Sequence, residues 1–154
     1  MKKFIFAFAN IVKMNMKFEV FDHLVEESKK IRQKVFVDEQ KFKEEFDEND
    51  SKAMHVLGYL EDVPVCTARV IFSLKHNSLT IGRVAVLKEH RLHQIGKQLM
   101  SKVEEEIIKR HGHVQVGVSS QLRAIPFYER VGYQTSGEIY LEENYPHIWM
   151  IKDL

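Results

Sequence analysis

Cysteine is almost missing from this chain. Cys66 is the only one, which excludes an internal disulfide and any metal site built from several thiolates. It sits in the apolar, β-favouring run Val65 to Val70 and reads as a buried strand thiol, not a nucleophile. Net charge is nearly missing too. The 23 Lys and Arg against 22 Asp and Glu leave a formal +1, so no concentrated basic face is available for a nucleic-acid partner. Long apolar runs are lacking: the stretch Phe4 to Ala9 is too short to span a bilayer, and no membrane partner is expected. Internal repeats, linkers and low-complexity tracts are absent. His111 and His113 flank Gly112, but no carboxylate or cysteine lies near them in sequence, so no metal is expected.

What is present is ordinary for a soluble globular protein. The chain has 154 residues, of which 44% are hydrophobic and 29% charged, enough for one domain with a sizeable core. The N-terminus mimics a signal peptide, with a basic start, a short apolar run and an Ala-x-Ala ending at Ala9. Met14 and Met16 follow at once, and Met16 to Phe21 reads as the first strand. Residues 1–15 are therefore expected to be an extension outside the core, and 16–154 a single domain.

Periodicity predicts the remaining elements. Leu24, Ser28, Ile31 and Val35 share one face of a helix spanning about Asp22 to Glu39. Lys41 to Asp50 is polar and acidic, a loop or broken short helix anchored by Phe42 and Phe46. Met54–Leu60 and Val63–Leu74 form strands around a tight turn at Glu61 and Asp62, and Leu79 to Val86 forms another. Leu92, Ile95, Leu99, Val103 and Ile107 stripe a helix ending near Arg110, with Gly112 as its stop. Val114, Val116 and Val118 alternate as a strand, and a short helix runs from Leu122 to Val131. Two closing strands lie around Tyr133 to Tyr140 and His147 to Ile151. The order implies a mixed α/β sheet sandwiched by helices.

The most informative stretch is Ile81 to Met100. A β-favouring run ends in a charged turn and passes straight into an amphipathic helix, with Arg91 and Gly96 at its mouth. The first N–H groups of a helix have no intrahelical partner. With the dipole behind them they form an anion site. Arg91 adds a charge that can fork onto phosphate oxygens. A phosphate-bearing ligand is expected on these grounds alone.

The same residues, Arg91-Leu-His-Gln94-Ile-Gly96, resemble motif A of the GCN5-related N-acetyltransferases (GNAT), written Arg/Gln-x-x-Gly-x-Gly/Ala. Gln94 departs from it, standing where the family has its first glycine. A side chain there crowds the diphosphate unless the backbone is already helical. A second segment, Ala124 to Tyr133, resembles the family's motif B, with an aromatic pair before a glycine and another ring. Ile31 to Gln40 and Pro146 to Met150 resemble the ElaA/YjcF branch. The resemblance covers nearly the whole chain from about Met16.

The resemblance implies a mixed, mostly antiparallel central sheet flanked by about four helices, and transfer of an acetyl group from acetyl-CoA to an amine in a ternary complex. Backbone groups of Val84, Ala85 and Val86 would hold the pantetheine arm as a substitute strand. Arg91, Leu92, His93, Gln94, Ile95, Gly96 and Lys97 would cradle the diphosphate. Tyr128 stands where the family's general acid to the departing thiolate stands, and a phenol with a pKa of about 10 is adequate for a thiol of about 8.5. Glu39, Gln40 and His147 are candidate acceptor-binding residues. With Asp47 and Asp50, Glu39 and Gln40 would make an acidic mouth suited to an amine. The general base stays open among Glu39, His55, Glu138, His147 and a water. The family also implies a cytoplasmic acetyl-CoA pool, which favours an extended start over secretion, and makes a homodimer an open expectation. Two other readings stand beside this one. One is a non-catalytic acyl-CoA sensor or interaction module. The other is an enzyme like the acyl-homoserine lactone synthases, which share the fold and whose residue order Arg32, Phe36, Asp47, Asp50 and Arg69 echo.

Overall fold

The computed structural model describes residues 15–43, 45–91 and 93–154. The expected extension therefore lies almost wholly outside the described residues, as does Leu92. Seven strands form one sheet in the order β1-β2-β3-β4-β5-β7-β6. They are β1 (Met16–Phe21), β2 (Met54–Leu60), β3 (Val63–Ser73), β4 (Ser78–Val86), β5 (Gln115–Gln121), β6 (Gln134–Glu142) and β7 (Tyr145–Asp153). Every neighbouring pair is antiparallel except β4 and β5.

Burial on both faces explains the continuous apolar runs of β2 and β3. Val56 packs into a core with Ile95, Leu99, Met100, Val103 and Ile107 of helix α2 (Ile95–His111). The next residue, Leu57, points the other way, into a cluster with Ile31 of helix α1 (Glu26–Arg32) and with Val35, Phe36 and Ala85. Alternate side chains of one strand thus serve two helices on opposite faces. Ile95, Leu99, Val103 and Ile107 of the predicted stripe are fully buried. Helix α3 (Ile125–Arg130) is short, begins with Pro126 in its first turn, and follows a 3-10 turn at Leu122–Ala124.

Three local features depart from the sequence reading. The first predicted helix is split: α1 passes at Gln33–Glu39 into a π-helix, closed by Gln40 N–H donating to the Val35 carbonyl at 3.1 Å. Such widened turns often mark functional sites. Helix α2 begins at Ile95, because Gln94 adopts φ 56°, ψ 20° and turns the chain immediately before it; the expected start at Leu92 lies outside the described residues. A β-bulge interrupts β4. Thr67 faces Ala85 and Arg69 faces Gly82, so two residues, Arg83 and Val84, oppose Ala68 alone. Arg83 carries the positive φ of 51°.

The parallel pairing of β4 with β5 lasts only from Leu79–Val116 to Ile81–Val118. Beyond Ile81, β4 follows β3 while β5 follows β7, and the sheet opens as a wedge. Leu87 N–H donates to the Val65 carbonyl at 2.9 Å. By the alternation of an antiparallel ladder, Val84 and Val86 then direct their N–H and C=O groups into the wedge. This split positions everything that follows.

Candidate active site

Two clefts meet at the open wedge. The first has a volume of about 870 Å³ and is lined by Val84, Ala85, Val86, Arg91, Gln94, Gly96 and Lys97, with Glu39, Phe127 and Tyr128 opposite. These include seven of the residues expected to hold the cofactor. Of the others, Ile95 turns its side chain into the core, His93 is exposed beside the helix start, and Leu92 is outside the described residues. The carbonyl of Gln94 accepts the first helical bond, from Gln98 N–H at 3.1 Å, so the amides of Ile95, Gly96 and Lys97 have no acceptor within the helix. Gly96 is needed for packing: a Cβ there would come within 3.0 Å of the Phe127 ring. That ring closes the cleft from the α3 side.

Arg91 is already engaged. It grips Glu39 with both terminal nitrogens, at 2.6 and 2.8 Å. Its Nε–H donates to the Val86 carbonyl at 2.9 Å, one of the groups directed into the wedge. The Arg91 hydrogen bond, aided by Coulomb attraction and opposed by burial, holds the Glu39 carboxyl below the usual carboxylate range. Glu39 thus belongs to the wall of this first cleft. Their separation of 52 residues hid the pairing from sequence reading.

The second cleft, about 450 Å³, lies across Tyr128 from the first and holds Arg83, Arg123, Gln121, Glu142, His147 and Trp149 among its walls. Gln40, Val84, Arg123, Ala124 and Tyr128 line both clefts. Tyr128 is buried, and desolvation pushes its hydroxyl well above the ordinary phenol range. Gln121 donates through Nε2 to Gln40 Oε1 at 3.0 Å, tying the end of β5 to the end of the π-helix. His147 is buried, with Nδ1 2.8 Å from the Tyr145 carbonyl and Nε2 3.5 Å from Glu142.

The expected acidic mouth is assembled only in part: Gln40 and Asp47 line the second cleft, Glu39 lies in the first, and Asp50 lines neither. Arg32 binds Glu45 at 2.6 Å and Asp50 at 2.7 Å, and Arg69 binds Asp47 at 2.7 Å and Asp50 at 2.9 Å. Arg83 reaches Glu45 at 3.1 Å from its bulge. Three guanidinium groups therefore neutralise three carboxylates, and Asp47 and Asp50 are consumed by structure. Burial would raise the Asp50 carboxyl, but the hydrogen bonds from Arg32 and Arg69 outweigh it and bring it to about 2. His55 serves the same assembly, its buried Nε2 2.8 Å from the Asp50 carbonyl, and it lines neither cleft. Glu138 is exposed on β6.

Sequence reasoning missed Arg83, Ser119, Gln121, Arg123 and Glu142. A strained backbone at an arginine has no sequence signal, and Glu142 looks like any surface acid of a hairpin.

Comparison with known proteins agrees with this geometry. Residues 21–154 match the model of the acetyltransferase (GNAT) domain. YyaT of Bacillus subtilis is 34% identical over 146 residues, covering 92% of this chain and 97% of that protein. The crystal structure of Escherichia coli ElaA superimposes with a TM-score of 0.78 at 28% identity, over 90% of this chain and 99% of the other. An aminoglycoside 6'-N-acetyltransferase solved with coenzyme A shares the fold alone, with a TM-score of 0.65 at 17% identity over 89% and 96% of the two chains. The match over residues 21–154, the relative at 34% identity and the likeness to ElaA agree: the chain belongs to the GNAT acetyltransferases, in their ElaA-like branch.

Proposed function

We propose that the protein is an acetyl-CoA-dependent N-acetyltransferase acting on a primary amine by direct attack in a ternary complex. The observation that carries this reading is Tyr128, a buried phenol forming the common wall of two clefts. One cleft suits the cofactor: it offers strand groups of Val84 and Val86 turned away from β3, the Val86 carbonyl held by Arg91, then three open amides at a helix start. The related aminoglycoside enzyme was solved with coenzyme A, and the fold they share supports the same use here. Bound in this cleft, acetyl-CoA supplies a thioester carbonyl and a thiolate leaving group.

The chain's own residues divide the remaining work. Val84 and Val86 orient the pantetheine arm through their backbones, with Ala85 packed into the core between them. The amides from His93 to Lys97 and the side chains of Arg91 and Lys97 neutralise the diphosphate. To do so, Arg91 exchanges Glu39 and the Val86 carbonyl for phosphate oxygens. Tyr128, kept protonated by its burial, donates its proton to the departing sulfur. Gln40 and His147 face the acceptor. The family's use of a cytoplasmic acetyl-CoA pool supports the same location for this protein.

The test is a transfer assay: purified protein, acetyl-CoA and a panel of primary amines, with thiol release and the acetylated amine both followed. Amine-dependent release in stoichiometric step with acetylated product is the expected result. Saturable acetyl-CoA binding without transfer to any amine would instead leave a non-catalytic acyl-CoA module.

A further inference from the structure

The second cleft contains a proton-accepting pair. His147 stands on β7 opposite Gln121 of β5 and Tyr140 of β6, on the cleft wall it shares with Tyr128. A carbonyl oxygen can only accept, so the 2.8 Å contact of Nδ1 with the Tyr145 carbonyl places the proton of the neutral imidazole on Nδ1. The lone pair is then on Nε2. That atom lies 3.5 Å from the Glu142 carboxylate, a distance that stabilises the ring once it is protonated. Glu142 is itself held, since Ser119 Oγ donates to its Oε2 at 3.3 Å. Tyr140 bonds the same Ser119 hydroxyl and stacks against the His147 ring at 6.3 Å. Unlike Asp47 and Asp50, Glu142 has no arginine partner among the described residues.

We infer that His147 is the general base of the transfer, with Glu142 as its positioning partner, and that the acceptor is an alkylamine arriving as an ammonium ion. The inference rests on the acetyl-transfer reading above. A base next to a carboxylate is needed for a cation that must lose a proton before it can attack. An arylamine arrives neutral and needs neither. The steps balance as follows. Nε2 takes one proton from the ammonium, directly or through one water. The freed nitrogen lone pair forms the C–N bond to the thioester carbonyl carbon as the C–S bond breaks. The sulfur leaves with that bonding pair and takes the Tyr128 proton. The amide nitrogen loses its remaining extra proton as Tyr128 regains one, and Nε2 releases the proton it took to solvent. Other ionisable groups on these walls are Glu143 from the β6–β7 turn, Lys75 and His76 from the β3–β4 turn, Arg123 before α3, and the paired Glu45, Asp47, Arg69 and Arg83 on the far side.

The experiment measures kcat against pH for propylamine, benzylamine and aniline with the wild type, His147→Gln and Glu142→Gln. With the alkylamines, wild-type kcat should level off well below the amine's own pKa. In His147→Gln it should fall by about 10²–10⁴ at neutral pH. Its remaining rate should climb toward the amine's own pKa of about 10. Glu142→Gln, an exposed change that tests the pair without risk to the core, should lower kcat with the alkylamines and leave that with aniline unaltered. Acetyl-CoA affinity should be unchanged in both variants. Aniline, if acetylated, should show no histidine limb in any of them. Identical profiles for wild type and His147→Gln would overturn the inference while leaving acetyl transfer intact. Wild-type transfer to aniline alone would also overturn it. No transfer to any amine would bring down the functional reading itself, and the base with it.

Discussion

Replacing Gln94 by glycine should make the protein both more stable and a tighter binder of acetyl-CoA. Gln94 holds φ 56°, ψ 20° immediately before α2. That left-handed conformation costs a residue with a Cβ about 1–2 kcal/mol. Glycine removes this strain but gives back about 0.4–1 kcal/mol through the greater freedom of its unfolded chain. The net gain is roughly 0.5–1 kcal/mol, which at this chain length raises Tm by about 1–4 °C. The side chain also lines the cofactor cleft, so binding has to order or displace it. Relief of that cost, about 0.5–1.4 kcal/mol for a flexible side chain, predicts roughly two- to tenfold tighter acetyl-CoA binding. Gln94→Val is the opposing control: a β-branched residue in this conformation should lose about 1 kcal/mol or more. Thermal melts and calorimetric titration of the three proteins provide the comparison. A glycine variant that melts lower than wild type, with valine neutral, would refute the left-handed turn and the placement of the helix mouth built on it.

Three further outcomes follow from the same geometry. Glu39→Gln should release Arg91 from its two-point grip and tighten acetyl-CoA binding by up to about fivefold, since a partly exposed pair contributes about 0–1 kcal/mol; equilibrium titration checks it, and weaker binding would mean that Glu39 positions Arg91. Tyr128→Phe should lower kcat by about 10²-fold or more while leaving acetyl-CoA affinity nearly unchanged, measured by steady-state kinetics with the best amine. The Arg32 assembly sets acid stability. Asp50 has its carboxyl depressed to about 2, so the stability it contributes is present above its unfolded value of about 4 and lost as pH falls from there through about 2. Denaturant melts should show that loss, and Arg32→Met, which leaves Asp50 to Arg69 alone and Glu45 to Arg83 alone, should cost up to about 3–5 kcal/mol at neutral pH.

Much of this was legible in the chain. The stripe of α2 and the strand limits of β1 and β2 were written in periodicity and turn residues. Arg91 and Gly96 stood out because helix mouths have local sequence form, and Tyr128 because the resemblance places the family's general acid there. The illegible parts are those made by distant pairs or by backbone strain. The π-helix at Gln33–Glu39 keeps the apolar spacing of an α-helix closely enough to be mistaken for one. The bulge that turns Arg83 toward Glu45 depends on β3, not on its own neighbours. Asp47 and Asp50 read as an acidic mouth because nothing local shows that Arg32 and Arg69 fold onto them. Glu39 and Arg91 were each singled out for different ligands, and their mutual grip appears only once the π-helix lies across the wedge. Gln94 had two possible consequences in sequence, and its left-handed backbone explains why a glycine suits that position.

The central claim is that the cleft beside β4 and the α2 mouth hold acetyl-CoA, and calorimetric titration of acetyl-CoA into the wild type and Arg91→Ala tests it most directly. The account predicts saturable one-to-one binding to the wild type and at least tenfold weaker binding to Arg91→Ala, a loss of about 1.4 kcal/mol or more. No heat of binding to the wild type at millimolar cofactor, or equal affinity in both proteins, would contradict it.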